Sequence, residues 1–335
     1  MAWLNSAWKK RKSITIAGTA DGAQVNYQMK VTIHRSAGAD AGADVYVDVG
    51  GCQADYDDIR FTRSDGTTLL DYWIESFDAN TAVVWVEFNS IPIAPGTGTF
   101  YIYYGNPAAA AVSNGDNTFG LLFDDFNDNV IDAAKWTESN VGVGTNSESS
   151  QRLKQDITTP AAAARARLDS AGKKTFAGNF DLRVDFLNVS VPNQHVQGVV
   201  QVNDGTYWVG CDRRNGYGGG NREMFEASVG GGFVFTPVAL SPASGKFRIT
   251  RVGTTHKSYY WDGANWVNVR TDVGATGAFY VIFALSNDAS TLVNCHIDWD
   301  NLFVRNFTTN EPTWSAWGGE EGYGVRSRMM MGVGC

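Results

Sequence analysis

The stretch Asp57-Asp58-Ile59-Arg60-Phe61-Thr62-Arg63-Ser64-Asp65-Gly66-Thr67-Thr68-Leu69-Leu70-Asp71-Tyr72-Trp73-Ile74-Glu75 limits the fold of this chain more than any other. Ile59 and Phe61 alternate with Arg60 and Thr62. After Ser64-Asp65-Gly66, Leu70, Tyr72 and Ile74 alternate in the same way. A period of two puts apolar side chains on one face of the backbone and polar ones on the other, which suits a half-buried strand and no helix. Two such runs joined by Asp-Gly turn chemistry predict a β-hairpin. The pattern recurs along the chain, with 37 Gly, 13% aromatic residues and few long helical patterns, so the expected class is all-β with many turns.

The 335 residues suffice for two domains with good cores, and 43% hydrophobic against 19% charged residues makes the chain globular. Residues 1–107 carry strand patterns at Lys12–Ile16, Tyr27–Ile33, Ile59–Thr62, Leu70–Ser76, Ala82–Phe88 and Gly98–Tyr104. Asp21-Gly22, Asp78-Ala79-Asn80 and Ala94-Pro95-Gly96 mark turns between them. This spacing predicts a β-sandwich. Residues 108–118, small and polar, read as a linker in which Ala108–Ala111 offers a short helical turn. Residues 119–308 form a second domain with alternating runs at Phe180–Leu187, Val196–Val202, Tyr207–Cys211, Phe247–Val252, His256–Trp261, Trp266–Arg270 and Phe279–Ser286. Trp261-Asp262-Gly263-Ala264-Asn265-Trp266 predicts a tight hairpin. Residues 309–335 read as a tail.

Two resemblances rest on these residues. Asp57–Glu75, with Trp8-Lys9-Lys10-Arg11-Lys12-Ser13-Ile14-Thr15-Ile16 before it and Phe100-Tyr101-Ile102-Tyr103-Tyr104-Gly105-Asn106-Pro107 after it, resembles a small β-domain of unknown function. That domain occurs in phage and archaeal surface proteins and beside ExbB-type transport channels, and it has no assigned chemistry. The second domain opens on Phe123-Asp124-Asp125-Phe126-Asn127-Asp128-Asn129 and closes on His296-Ile297-Asp298-Trp299-Asp300-Asn301-Leu302-Phe303-Val304-Arg305. With its hairpin it resembles a concanavalin A-like jelly roll of the laminin-G or glucanase kind. The expected architecture is therefore two β-sandwich domains, the second a jelly roll whose relatives bind, and in some cases hydrolyse, glycans.

The formal net charge of -8 argues against a phosphate-backbone binder, so no nucleic acid is expected as partner. The basic run Lys9-Lys10-Arg11-Lys12 reads either as a docking patch for an anion or as a solvated strand lead-in. No run of about 18 apolar residues is present, so no transmembrane helix is expected. Met1-Ala2-Trp3-Leu4 shows no apolar signal region, so a surface protein of this kind is expected either as a mature form or to reach the surface by another route, of which assembly into a virus particle is one. Cys52, Cys211, Cys295 and Cys335 form no Cys-x-x-Cys pair. Cys211 and Cys295 either pair inside the second domain or stay as buried thiols.

Glycoside hydrolysis needs two carboxylates about 5 to 10 Å apart, one with a raised pKa. A Glu-x-Asp-x-x-Glu strand is absent. Glu223 and Glu226, three apart, point to opposite faces, and Asp181 and Asp185 read as an ordinary half-exposed strand. His34, His195, His256 and His296 lack a nucleophile elbow, and no phosphate loop or dinucleotide fingerprint occurs, so no enzyme is expected. Asp124, Asp125 and Asp128 would lie beside Asp298 and Asp300 if the first and last strands are neighbours, which is a candidate structural calcium site. The run from Tyr207 to Arg222 mixes aromatic, Asp and Arg residues. Trp208, Asp212, Arg213, Tyr217 and Arg222 are its candidate glycan ligands. The tail ends in Met329-Met330-Met331-Gly332-Val333. Those apolar residues, Met329, Met330, Met331 and Val333, read as a strand docking on another subunit or as one folded back on its own sandwich. The functional expectation is a virion tail, fibre or decorating subunit, homo-oligomeric, contacting other virion proteins and a cell-surface glycan. A secreted or cell-surface adhesin is the alternative.

Overall fold

The computed structural model describes residues 2–48, 50–191, 196–215, 221–229, 232–240, 242–288 and 292–324. It is all-β, as the alternating pattern requires, apart from a four-residue helix at Gly115–Thr118. No helix among the described residues is long and apolar enough to cross a membrane. The chain divides into two units. One is residues 1–118 together with 310–335, and the other is residues 119–309.

The first unit is a sandwich. One sheet runs in the order Thr313–Trp317, Lys10–Ala17, Thr97–Tyr104, Arg60–Thr62, Leu69–Leu70, and Glu321–Gly322 also pairs with Lys10–Ala17. The other runs Asp44–Tyr46, Tyr27–His34, Thr81–Phe88, Tyr72–Phe77. Ile14, Ile16, Phe61, Phe100 and Ile102 from the first sheet pack on Tyr27, Val31, Val84, Val86 and Phe88 from the second. These are the apolar members of the alternating runs, which a period of two turns toward the facing sheet.

The motif around Asp58 holds the loops of this unit. The buried Asp58 carboxylate accepts backbone N–H bonds from Gln53 at 2.8 Å, Gly105 at 2.8 Å and Asn106 at 3.0 Å. Gly105 sits at φ 82°, a conformation that favours glycine, so the chain turns sharply onto the carboxylate. Arg60 is buried against the Trp8 ring and donates to the carbonyls of Asp57, Ile59 and Ala110.

Three expectations change here. Residues 108–118 are bonded to the first unit: Ala110 accepts from Arg60, Ser113 Oγ from the Ile74 N–H, and Asn114 N–H bonds Tyr72 O. The helical turn lies at Gly115–Thr118, not at Ala108–Ala111. The basic run is neither a free patch nor a solvated lead-in, because its strand is central. Arg11 is buried between Trp3 and Tyr101 and pairs with Glu321 at 2.7 Å; Lys12 meets Asp40 at 2.7 Å and Lys10 meets Glu320 at 3.0 Å. The start of the tail is folded back on its own sandwich, where Trp314 and Trp317 stack and donate to the carbonyls of Lys30 and Gly42. Met329, Met330, Met331 and Val333 lie outside the described residues.

The second unit is a larger sandwich. Its seven-stranded sheet runs Thr137–Glu138, Arg165–Asp169, Tyr280–Ser286, Gln197–Asn203, Trp208–Asn215, Asn221–Val229, Gly232–Val238. Its eight-stranded sheet runs Gly144–Glu148, Leu153–Ile157, Cys295–Asn306, Phe180–Ser190, Gly245–Val252, Thr255–Trp261, Trp266–Val273, with Leu122–Asp124 also against Cys295–Asn306. Every pairing is antiparallel, and the chain crosses repeatedly between the sheets, which is jelly-roll behaviour. Trp299, Phe180, Phe247, Phe283 and Cys211 are among the residues that fill the space between them. The expected hairpin forms with Trp261 opposite Trp266, and Asp262 Oδ1 accepts the N–H of Ala264 and Asn265. Cys52, Cys211 and Cys295 are buried and form no disulfide with one another.

A carboxylate that satisfies one buried and two partly buried N–H groups leaves all three without that partner when removed. Asp58→Ala is therefore expected to lower stability by about 3 kcal/mol, read as a fall in the urea midpoint at unchanged slope.

Candidate functional site

The outer face of the seven-stranded sheet holds the candidate site. On Gln197–Asn203, Val200 and Val202 face the core, so Gln197, Val199, Gln201 and Asn203 face out. Gly198 turns inward over Ile297, where a Cβ would stand 2.8 Å from that side chain. The neighbouring strands follow by register. Asp212 and Arg214 stand beside Val199 and Gln197, and Glu226 stands beyond Gly210. On the other side Ile282, Ala284 and Ser286 lie next to Gln201, Val199 and Gln197, and Arg167 and Arg165 come next again.

The face has three zones. At one end is a cavity of about 380 Å³ walled by Arg165, Arg167, Gln197 and Gln201, with a floor of Val199, Ile282 and Ala284. In the middle, Arg214 Nη2 lies 2.8 Å from Asp212 Oδ2 and 3.3 Å from Glu226 Oε2, and it also donates to Gln197 Oε1. At the far end Trp208 packs on Phe233, and Phe233 on Phe235, with centroids 5.8 and 5.4 Å apart. Phe233 and Phe235 are 51% and 41% exposed, unusual for phenylalanine and typical of a contact surface.

The electrostatics of the middle zone follow from burial. Asp212 is fully buried and Glu226 nearly so. Burial, and then the nearby Asp212 charge, push the Glu226 carboxyl up to about 8 against the pull of Arg214.

The structure sorts the expected glycan ligands by strand face. Trp208 and Asp212 share the outer face. Arg213 does not: it points inward, over the Phe186 ring with Nη1 donating to Leu240 O. The strand alternates, so Arg214 is the arginine beside Asp212. Arg222 lies opposite Arg214 in register, and Tyr217 lies outside the described residues. Arg165, Arg167, Gln197, Gln201, Phe233 and Phe235 were not among the sequence candidates. The outward set Gln197, Val199, Gln201 was visible as the polar phase of an alternating run, but its neighbours depend on pairing.

The acidic candidates are spread out. The strand Leu122–Asp124 does lie beside Cys295–Asn306, yet each carboxylate has its own task. Asp124 accepts from Trp136 Nε1 at 2.6 Å and the Phe126 N–H; burial, opposed by Lys135 and Trp136, raises it to about 6. Asp125 holds the Asn127 amide and Asp128 the Val130 N–H. Asp298 binds Asn188 and stands 2.7 Å from His296, whose other ring nitrogen meets Asp156. Asp300, driven to about 7 by burial and then by the neighbouring Asp185 against the Asn301 N–H, accepts that N–H. Among the described residues no group of three or more His, Cys, Asp or Glu side chains is placed to hold a metal ion. Asp181 is not half-exposed but fully buried. Burial works to raise it, and Arg183, Arg248 and Arg305 around it hold it well below the usual carboxylate range.

Residues 55–139 match the family model described as a domain of unknown function, DUF2341. No curated protein matches the chain. Solved structures similar to it include the laminarinase catalytic domain of Thermotoga maritima, at 11% identity and TM-score 0.42, covering 56% of this chain and 98% of that one. An endo-β-1,3-glucanase from Pyrococcus furiosus aligns at 13% identity and TM-score 0.43 over 56% and 94% of the two chains. A β-1,3-glucanase from Mycobacterium marinum aligns at 11% and 0.44 over 55% and 97%.

The raised carboxyls set a pH dependence. A carboxyl whose native pKa is raised keeps its proton after the unfolded chain has released it, so its stabilisation is complete below about pH 4.5 and disappears as pH rises through the native value. Asp124 at about 6, Asp300 at about 7 and Glu226 at about 8 act in the same direction, as does Glu148, lifted to about 8 by burial and by Asp128. Melting of the second unit is expected to fall from pH 5 to pH 8.5, and Glu226→Gln to flatten the upper part of that slope. A level or rising profile would contradict the assignment.

Proposed function

We propose that this chain is a non-enzymatic surface subunit whose second unit binds a glycan on the outer face of its seven-stranded sheet. The observation that carries the reading is the pairing, on one face, of a polar-walled cavity with the exposed aromatics Phe233 and Phe235 beside Trp208. Sugars present apolar ring faces that stack on aromatics and a rim of hydroxyls that Gln, Asn and Arg satisfy. The two carboxylates of the face support a binding role over a chemical one, since both are buried against Arg214 and shielded from a substrate. We place the subunit on a virion surface, as a tail, fibre or decorating protein, on the resemblance carried by its first unit; a secreted or cell-surface adhesin is the alternative setting. A glycan array probed with the full chain is expected to give discrete positives, and Phe233→Ala and Gln201→Ala each to weaken them about tenfold. An array without positives removes the reading.

Self-assembly is proposed through Met329, Met330, Met331 and Val333. Light scattering is expected to give an oligomer for the full chain and a monomer for a chain cut after Gly324, which keeps the pairing of Glu321–Gly322. Equal masses would remove the docking role.

A retaining glycosidase is the second reading, favoured by one observation. The Asp212 and Glu226 oxygens touch the same nitrogen at 2.8 and 3.3 Å, so they stand no more than about 6 Å apart, near the separation of a nucleophile and acid pair. Reducing-sugar release from a polysaccharide panel, abolished by Glu226→Gln, would establish it.

A further inference from the structure

Resting on that glycan-binding reading, we infer that the cavity at the Arg165 end of the sheet selects an acidic saccharide, taking the carboxylate of a uronate residue between Arg165 and Arg167. The cavity wall carries two guanidinium groups and no carboxylate. Several cations among the described residues are matched by carboxylates inside the fold: Arg11 with Glu321, Lys12 with Asp40, Arg214 with Asp212, Lys246 with Asp185. Arg165 has no such match. Its side chain makes no ion pair, hydrogen bond or ring contact among the described residues, and its Nε is buried without a partner. A half-buried guanidinium with an unsatisfied donor has lost hydration without a return, and an anion is what restores it. Arg167 points to the same conclusion. It reaches Asp169 only through Nε, at 3.2 Å, so its two Nη groups have no partner among the described residues.

The geometry suits a carboxylate. Arg165 and Arg167 alternate on one strand and share its outer face, opposite Ser286 and Ala284. Two planar forks on one face can grip a carboxylate by paired N–H bonds, which an ammonium cannot match. Gln197, Gln201 and Ser286 supply neutral partners for ring hydroxyls, and the floor of Val199, Ile282 and Ala284 offers an apolar seat for a ring face. A neutral sugar would leave both guanidiniums unsatisfied, so the discrimination comes from what the wrong ligand fails to repair.

The test is calorimetric titration of the full chain with an oligogalacturonide, a sulfated galactan oligosaccharide of the same length and a neutral β-glucan oligosaccharide. The expected result is at least tenfold tighter binding of the oligogalacturonide than of the neutral sugar, weakening steeply with added salt. Arg165→Gln is expected to erase that preference and Arg165→Lys to restore part of it, with melting temperatures unchanged. Tighter binding of the sulfated sugar would overturn the uronate assignment. Neutral sugar bound as well as the uronate, with Arg165→Gln silent and Gln201→Ala weakening both, would overturn the inference and leave glycan binding standing. No binding by any of the three would overturn both.

Discussion

The seven-stranded sheet can present a polar, charged face because its other face carries the hydrophobic burial that holds it in place. Val200, Val202, Val209, Cys211, Phe225, Phe283 and Leu285 all turn inward, onto Phe180, Phe247 and Trp299 of the opposing sheet. With that face buried, register is fixed, since a slip of one residue would send Gln201 and Asp212 into the core. The arrangement of Arg165, Arg167, Gln197 and Asp212 is thus a by-product of packing on the reverse side. A rigid platform of this kind holds polar groups at set positions, which loops do less well.

Charges inside the fold obey the same economy of pairing. Asp181 is closed in by three arginines, all of which lie over aromatic faces: Arg183 over Trp266 and Phe303, Arg248 over Tyr259 and Phe307, and Arg305 over Phe307. Ring faces absorb the cation excess that one carboxylate cannot. Asp58 solves the opposite problem with backbone N–H groups in place of cations. Both are structural uses of residue types that elsewhere do chemistry, and the distinction rests on whether the donors belong to the fold.

The alternating runs were legible because a period of two needs no knowledge of partners. Tyr27–His34, Thr81–Phe88 and the Trp261–Trp266 hairpin stand where the pattern puts them. What remained hidden needed pairing across distance. Arg213 and Arg214 are adjacent in sequence, and only the pleat decides which one meets Asp212. The return of Thr313–Trp317 to Lys10–Ala17 has no local cue, because an edge strand rich in Trp and Ser reads the same whichever sheet it joins. Arg165 and Arg167 carry no local signal of a site, which comes only from the pairing that sets Ser286 and then Gln197 beside them.

That return has a consequence during synthesis. Arg11 meets its carboxylate on Glu321, 310 residues further along the chain. At roughly 5–20 residues per second, the ribosome needs about 15 to 60 s to make the intervening chain. For that time one side of Lys10–Ala17 is an open sheet edge, the surface on which neighbouring nascent chains pair most readily. Synonymous codons that slow translation through residues 119–309 would therefore lower soluble yield without altering a single contact of the finished protein.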